Sequence, residues 1–209
     1  LDDIFINPRL NGSVAPNLKN TVVNANDLSY VINTPLYKLR ASVFLVDTQN
    51  ETSVQRFFAD GIQIQDSSSE TTSTDNSGGQ YVQSAFVTQV MSNMEKRNLG
   101  AELGVDVKIL PTLSFQGAAS YGQYTYRNNP NVYFASDNIG IFSNGLPYTQ
   151  FGKAYLKDYR QGGTPQTAFS AGLRYSSPKY WWVGANWNYL DNNYIDPSAL
   201  IRSESFVQN

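Results

Sequence analysis

The chain has 209 residues, 15 Lys and Arg against 17 Asp and Glu, and no cysteine or histidine, which excludes disulfides, Cys/His metal centres and Ser-His or Cys-His catalytic pairs. A formal net charge of −2 offers no basic surface to nucleic acid or to anionic lipid. No run approaches the roughly 18 consecutive apolar residues of a membrane helix.

The mean hydropathy of −0.38 does not exclude a membrane, because a barrel strand shows only alternate residues to lipid. No tight acidic constellation argues for carboxylate chemistry, so no enzymatic activity and no cofactor is expected. The opening L-D-D-I-F-I-N-P-R has neither a basic region nor an apolar core, and the chain is read as a piece of a longer or processed protein.

Alternating segments then follow one another along the chain, each predicting a strand with two different faces. Residues 27–33 place Leu28, Tyr30 and Ile32 together. After T-P-L-Y at 34–37, residues 38–46 set Leu39, Ala41, Val43 and Leu45 opposite Lys38, Arg40 and Ser42. A polar stretch at 47–81, with D-S-S-S-E-T-T-S-T-D-N-S-G-G inside it, reads as a long loop.

The clearest alternation is 98–109. Leu99, Ala101, Leu103, Val105, Val107 and Ile109 fall on one face, and Asn98, Gly100, Glu102, Gly104, Asp106 and Lys108 on the other. It is longer than the usual strand of about 5–6 residues and close to the roughly 9–11 that cross a bilayer at a tilt. Past L-P-T at 110–112, residues 113–122 place Leu113, Phe115, Ala119 and Tyr121 opposite Ser114, Gln116 and Ser120. A second long stretch, 127–167, is rich in Asn, Gly and Tyr. Residues 168–175 set Phe169, Ala171, Leu173 and Tyr175 against Ser170, Gly172 and Arg174. After S-S-P-K at 176–179, residues 181–189 set Trp181, Val183, Ala185, Trp187 and Tyr189 against Gly184, Asn186 and Asn188, with Trp182 breaking the polar side.

The order strand, short proline-bearing turn, strand, long loop recurs, which places all short turns at one end of a sheet. Outer-membrane barrels have this asymmetry, with short periplasmic turns and long extracellular loops. Aromatics gather in two belts: Tyr37, Tyr175, Tyr180 and Trp181 beside the turns, and Tyr121, Trp187 and Tyr189 towards the long loops. The spacing of Trp181 and Tyr189 corresponds to roughly 20 Å along a membrane normal at ~3.3 Å per residue and ~40° of tilt. The expected fold is therefore all-β, a transmembrane antiparallel β-barrel segment. About six strands cannot close a barrel, since bacterial barrels begin at about eight. A consecutive slice of a larger barrel is preferred over a small closed barrel with strands hidden at 57–65 or 154–160.

Several segments carry a family likeness. N-P-R-L-N-G-S-V-A-P near the start, M-E-K-R-N-L-G-A-E-L-G-V-D-V-K-I-L-P at 94–111, G-Q-Y-T-Y at 122–126, R-Q-G-G-T-P-Q-T-A at 160–168 and S-P-K-Y-W-W-V at 177–183 together resemble the carboxyl-terminal barrel region of Bacteroidota TonB-dependent receptors. The likeness is to the group with a carboxypeptidase-like regulatory domain before the plug, and it runs over nearly the whole chain. It implies that 1–209 is part of a barrel of about 22 strands, without plug, TonB box or final strand. It further implies a place in the cell outer membrane, contact with its lipid bilayer, with the rest of the barrel and plug and, through the absent amino-terminal part, with TonB. The implied activity is TonB-driven import of a scarce ligand (a siderophore, metal complex, glycan or similar) into the periplasm. A complete small barrel of structural or adhesin type, and a soluble carbohydrate-binding sandwich, are the alternatives.

Candidate functional residues fall into two sets. Arg40, Glu102, Asp106, Lys108 and Arg174 are expected to face the lumen, as a network of ion pairs in preference to plug or path contacts. Tyr133, Phe134, Phe142, Tyr148, Phe151 and Tyr155 either stack on a ligand or pack the loops together. Asp191, Asn193 and Asp196 approach a calcium loop but lack its turn glycine and closing glutamate. The Asn-X-Ser/Thr triplets at 11–13 and 50–52 read as turns, and R-Q-G-G-T-P at 160–165 as the re-entry from loop into strand.

Overall fold

The computed structural model describes residues 5–7, 13–14, 16–64, 81–136, 146 and 148–207, with side chains described at 14, 16–58, 86–136, 146 and 148–207. Two short strands, β1 (Phe5–Asn7) and β2 (Ser13–Val14), pair with each other. The remaining strands form one 8-stranded sheet: β3 (Val22–Asn33), β4 (Tyr37–Ile64), β5 (Tyr81–Leu110), β6 (Leu113–Tyr126), β7 (Asn131–Ser136), β8 (Thr149–Lys153), β9 (Pro165–Ser176) and β10 (Trp182–Asn193). A single helical turn, α1 (Glu204–Val207), follows. The main path runs β3-β4-β5-β6-β9-β10, with β7 beside β5 and β8 beside β7, and every ladder is antiparallel.

The expected strands are all present, and the expected turns close the hairpins β3–β4, β5–β6 and β9–β10. At the first turn Thr34 works from both ends: its N–H and hydroxyl donate to the Tyr37 carbonyl (2.9 and 2.8 Å), and its hydroxyl oxygen accepts from the Tyr37 N–H (3.0 Å). Neighbouring turns are tied together, Lys108 N–H to the Leu36 carbonyl (2.8 Å) and Ser176 N–H to the Thr112 carbonyl (2.7 Å). The three turns therefore share one end of the sheet.

Register decides which side chains share a face, because residues paired across an antiparallel ladder point the same way. One row reads Tyr30, Ala41, Leu103, Ala119, Phe169, Tyr189 from β3 to β10, and the next Ile32, Leu39, Val105, Gly117, Ala171, Trp187. Between them in the pleat, on the opposite face, lies the row Val31, Arg40, Gly104, Ala118, Ser170, Asn188. The apolar face carries no covering layer among the described residues: Leu28, Tyr30, Leu103, Phe169, Leu173 and Trp187 are all exposed.

The long polar stretches differ from the sequence expectation. Much of 47–81 is ladder, since β4 runs on to Ile64 and β5 starts at Tyr81. The pairing shifts between Thr48 and Glu51 and again before Ser53, with Asn50 (φ 57°) and Asn93 (φ 58°) in the left-handed region that asparagine tolerates. A bulge inserts residues on one strand, so the period-two pattern changes phase and the alternation disappears from the sequence. The stretch 127–167 also contains pairing. β7 continues the line of β6 along β5, Tyr126 lying opposite Lys96 and Asn131 opposite Ser92. Asn128 fills the interruption, accepting from the Glu95 N–H (2.9 Å) and donating to the Asn93 carbonyl (2.7 Å).

The sheet is open, with β3 and β10 as the ends of its path. Residues 57–64 lengthen β4 rather than adding a strand, and 154–160 holds only isolated bridges at Ala154 and Arg160, so neither closes a small barrel. The buried core lies beyond the alternating strands, at the end opposite the turns. There Val87, Met91, Met94, Tyr126, Val132, Phe134, Ala154, Leu156 and Ala199 pack together, and a second cluster joins Val90, Tyr133 and Ala135 with Leu18, Val54 and Tyr148. This end is called the cap below.

Candidate functional site: the polar face and its cap

Arg40, Glu102, Asp106, Lys108 and Arg174 do share one face, but the expected ion-pair network does not form. Among the described residues the ion pairs are Lys96–Glu51 (2.8 Å) and Arg97–Asp47 (2.6 Å), both towards the cap. Register is the reason. Arg40 lies opposite Gly104, Glu102 opposite Ser42 and Ser120, Lys108 opposite Ser114, and Arg174 opposite Ser114 and Gly184. Asp106 alone of the five has a charged cross-strand neighbour, Lys38, and makes no ion pair with it. The Arg174 guanidinium instead lies 4.6 Å from the centre of the Trp182 ring, which accounts for the tryptophan on the polar side.

Small residues keep the middle of this face low. Gly104, Ala118, Ser120, Ala168 and Ser170 floor a trough of about 400 Å³ with Arg40, Glu102 and Asn188 at its margin. A Cβ at Gly104 would meet nothing within 4 Å, whereas one at Gly100 would strike the Phe44 ring at 2.5 Å. Thus Phe44, in phase with the polar residues of β4, lies flat over a glycine instead of standing into the trough.

The aromatics of the second long stretch fall into two packing pairs. Tyr133, 2% exposed, meets the Tyr148 ring edge-on at 5.6 Å and its hydroxyl accepts from Asn17 Nδ2 (3.2 Å). Phe134, 6% exposed, meets Phe151 at 4.6 Å. Tyr155 is 41% exposed, and Phe142 lies outside the described residues. Tyr159 is also exposed, with the Arg202 guanidinium 4.0 Å over its ring.

At the far end of the polar face the cap joins residues that the sequence had offered only separately, Asp196 as part of a calcium-like loop and Gln161 and Gly162 as part of a loop re-entry. Gln161 Nε2 donates to Asn98 Oδ1 (2.9 Å), on the polar face of β5, and to the Thr125 carbonyl (3.0 Å). Gln166 Oε1 accepts from the Tyr124 N–H (3.2 Å). Asp196 Oδ1 accepts from the Tyr126 hydroxyl (3.0 Å) and from the Gly162 N–H (2.7 Å). Burial, then the neighbouring Asp196 charge and the hydrogen bond to it, raise the Tyr126 phenol well above its ordinary range, with Glu51 adding to the effect. Beyond the apolar rows, Arg97 holds Asp47 bidentately (2.6 and 3.0 Å) and lowers its carboxyl below the usual value, against a smaller opposing effect of burial. Asp191 is engaged elsewhere, with the Tyr189 hydroxyl and the Asn192 N–H, so the structure brings the carboxylates of the Asp191–Asp196 segment to different partners. No local pattern links Asp196 to Tyr126, 70 residues away; the one available signal was Gly162-Gly163, where a tight approach needs glycine.

No family model matches the chain, and neither a curated protein nor a solved structure matches it.

Proposed function

We propose that the chain is a stretch of the wall of an outer-membrane β-barrel, part of a TonB-dependent receptor that binds a scarce ligand outside the cell and imports it into the periplasm. The observation that carries the membrane reading is the pair of apolar rows crossing β3, β4, β5, β6, β9 and β10, in which Tyr30, Leu103, Phe169, Trp187 and Tyr189 stand exposed, set against a polar face on which Arg40, Glu102, Asp106, Lys108 and Arg174 make no ion pair. From Leu99 to Ile109 the apolar side of β5 spans roughly 25 Å along a normal tilted ~40° from the strand. That equals the apolar band of about 25 Å on outer-membrane barrels. Tyr175 and Trp181 (5.4 Å) mark its turn end, Trp187 and Tyr189 (6.1 Å) lie towards the cap, and the Asp47–Arg97 pair stands beyond it.

In this reading β3 and β10 continue into further strands of the wall, since an open edge in hydrocarbon leaves backbone groups unpaired. The polar face is the lumen side, its charges available to the plug or to a passing ligand. The chain itself does no catalysis, and the receptor identity rests on the sequence likeness. The test is fractionation of the protein containing this chain: outer-membrane recovery, detergent-dependent solubility and heat-modifiable migration are expected. A monomer that stays in solution without detergent overturns the reading.

A further inference from the structure

The polar face is not evenly charged. Its side chains fall into rows across the sheet, and the charges divide between those rows by sign. The row nearest the turns holds Lys108, Ser114 and Arg174; the next holds Lys38, Asp106 and Gln116; the third holds Arg40 beside Gly104. These rows carry the four cations Lys38, Arg40, Lys108 and Arg174 against the single carboxylate of Asp106. The next two rows towards the cap hold Glu102 and Asp27 and no cation. All four cations are exposed, and none takes part in the ion pairs found among the described residues.

The cations stand around low ground. Ser114 lies opposite both Lys108 and Arg174, with Cβ atoms ~5 Å away on either side. Lys38 lies opposite Asp106, and Arg40 and Lys108 follow two residues along their strands, ~6.6 Å from that pair. Between Lys38, Arg40, Asp106 and Gln116 the surface sinks into a depression of about 370 Å³. Gly104 keeps it open, since a Cβ there would meet nothing within 4 Å. That volume lies within the roughly 300–1,000 Å³ of small-molecule sites. Beside it the Arg174 guanidinium rests 4.6 Å from the centre of the Trp182 ring, which limits the freedom it loses on binding.

Cations gathered without counter-charges repel one another, and an anion set among them replaces repulsion by attraction. Walls of low dielectric constant focus that field into the depression. Resting on the barrel-wall reading, in which the turn end opens to the periplasm, we infer that this end of the polar face seats a small solute bearing two or more carboxylate or phosphate groups. Lys38, Arg40, Lys108 and Arg174 hold its charges, and Ser114 and Gln116 offer neutral donors.

Thiol chemistry tests this on isolated membranes carrying the intact protein, in a chain with no cysteine of its own. Ser114→Cys puts a thiol between Lys108 and Arg174, and Ser120→Cys puts one opposite Glu102. Heat-modifiable migration selects the variants that assemble. Each thiol is treated with an anionic and a cationic methanethiosulfonate of similar size, and rates are corrected for reaction with a free thiol. The preference for the anionic reagent should be about tenfold greater at Ser114→Cys than at Ser120→Cys, and should shrink at high salt. Tricarballylate, a small tricarboxylate, should slow labelling of Ser114→Cys severalfold and saturably, well beyond sodium chloride of equal ionic strength. Adding Lys38→Gln and Arg40→Gln should remove that protection. Equal charge preference at the two positions, or no more protection from tricarballylate than from chloride, overturns the seat. A Ser114→Cys thiol closed to both reagents also overturns it, because polypeptide then already covers the patch. If Leu103→Cys labels as fast as Ser120→Cys, the barrel-wall reading fails instead.

Discussion

Glu102 and Leu103 are adjacent in the chain and face opposite ways: Glu102 lies across from Ser42 and Ser120, Leu103 across from Ala41 and Ala119. A single residue step thus separates the charged trough from the apolar rows. With Leu103→Arg the guanidinium faces lipid, at a cost of ~2–4 kcal/mol near the bilayer midplane. Glu102→Gln changes a group with no ion partner, so its cost should fall within about 0.5 kcal/mol. Outer-membrane abundance and heat-modifiability of the two variants check this; equal behaviour contradicts the facing.

Gly162 offers a sharper probe of the cap than any charge. A Cβ there would lie 2.4 Å from the Asp196 backbone nitrogen and 2.8 Å from the Tyr194 carbonyl oxygen, both main chain. Gly162→Ala should therefore unseat residues 194–196 while leaving the hairpins intact. Faster proteolysis within 194–207, with unchanged barrel abundance, is the expected result. Gly104→Ala, at a glycine with open space above it, serves as the silent control.

Acid and alkali should loosen the cap by different groups. The carboxyl of Asp47 is lowered by Arg97, so its contribution is complete above the ordinary carboxylate value of about 3.9 and disappears as pH falls through its native value. The Tyr126 phenol is raised, so its contribution is complete below the ordinary value of about 10 and declines as pH rises past that point. Cap proteolysis against pH should show a protected plateau between these limits. Asp47→Asn should flatten the acid limb, and Tyr126→Phe the alkaline one.

Shortening 133–155 tests packing rather than recognition alone. That segment contributes most of β7, paired with β5 from Val87 to Val90, and the buried rings of Tyr133 and Phe134. Phe134→Ala should destabilise the cap by about 3–5 kcal/mol, a cost typical of emptying a buried aromatic site. Tyr155→Ala, at an exposed ring, should leave cap stability nearly unchanged, so any loss of ligand uptake there reports contact with the ligand. Thermal unfolding of the cap by hydrogen exchange separates the two.

The strands within the apolar band were legible because Leu99 to Ile109 and its neighbours keep strict phase, and the proline turns mark their ends. Legibility stopped at the band. From Asp47 on β4 and Arg97 on β5 polar residues interrupt both sides of each strand, and the irregularities at Asn50 and Asn93 shift the phase, so the apolar residues beyond them keep no alternation with the band and ladder looks like loop. The five charges were assigned to the correct common face, but their failure to pair depends on which small residue lies opposite each one, and register is not written in a single strand. The cap network was illegible for a simpler reason: Tyr126, Gly162 and Asp196 lie far apart in sequence and meet at the Asp196 carboxylate only once the sheet has formed.

The path β3-β4-β5-β6-β9-β10 also governs how the sheet assembles. Each of the three hairpins can zip from its own proline turn, where the loop to be closed is shortest and the entropy lost in closure is smallest. Joining β6 to β9 is different, since the chain must first make the excursion through β7 and β8. Folding of this region therefore divides into fast local zippering of three pairs and a slower lateral joining, with the β6–β9 seam the step most exposed to stalling.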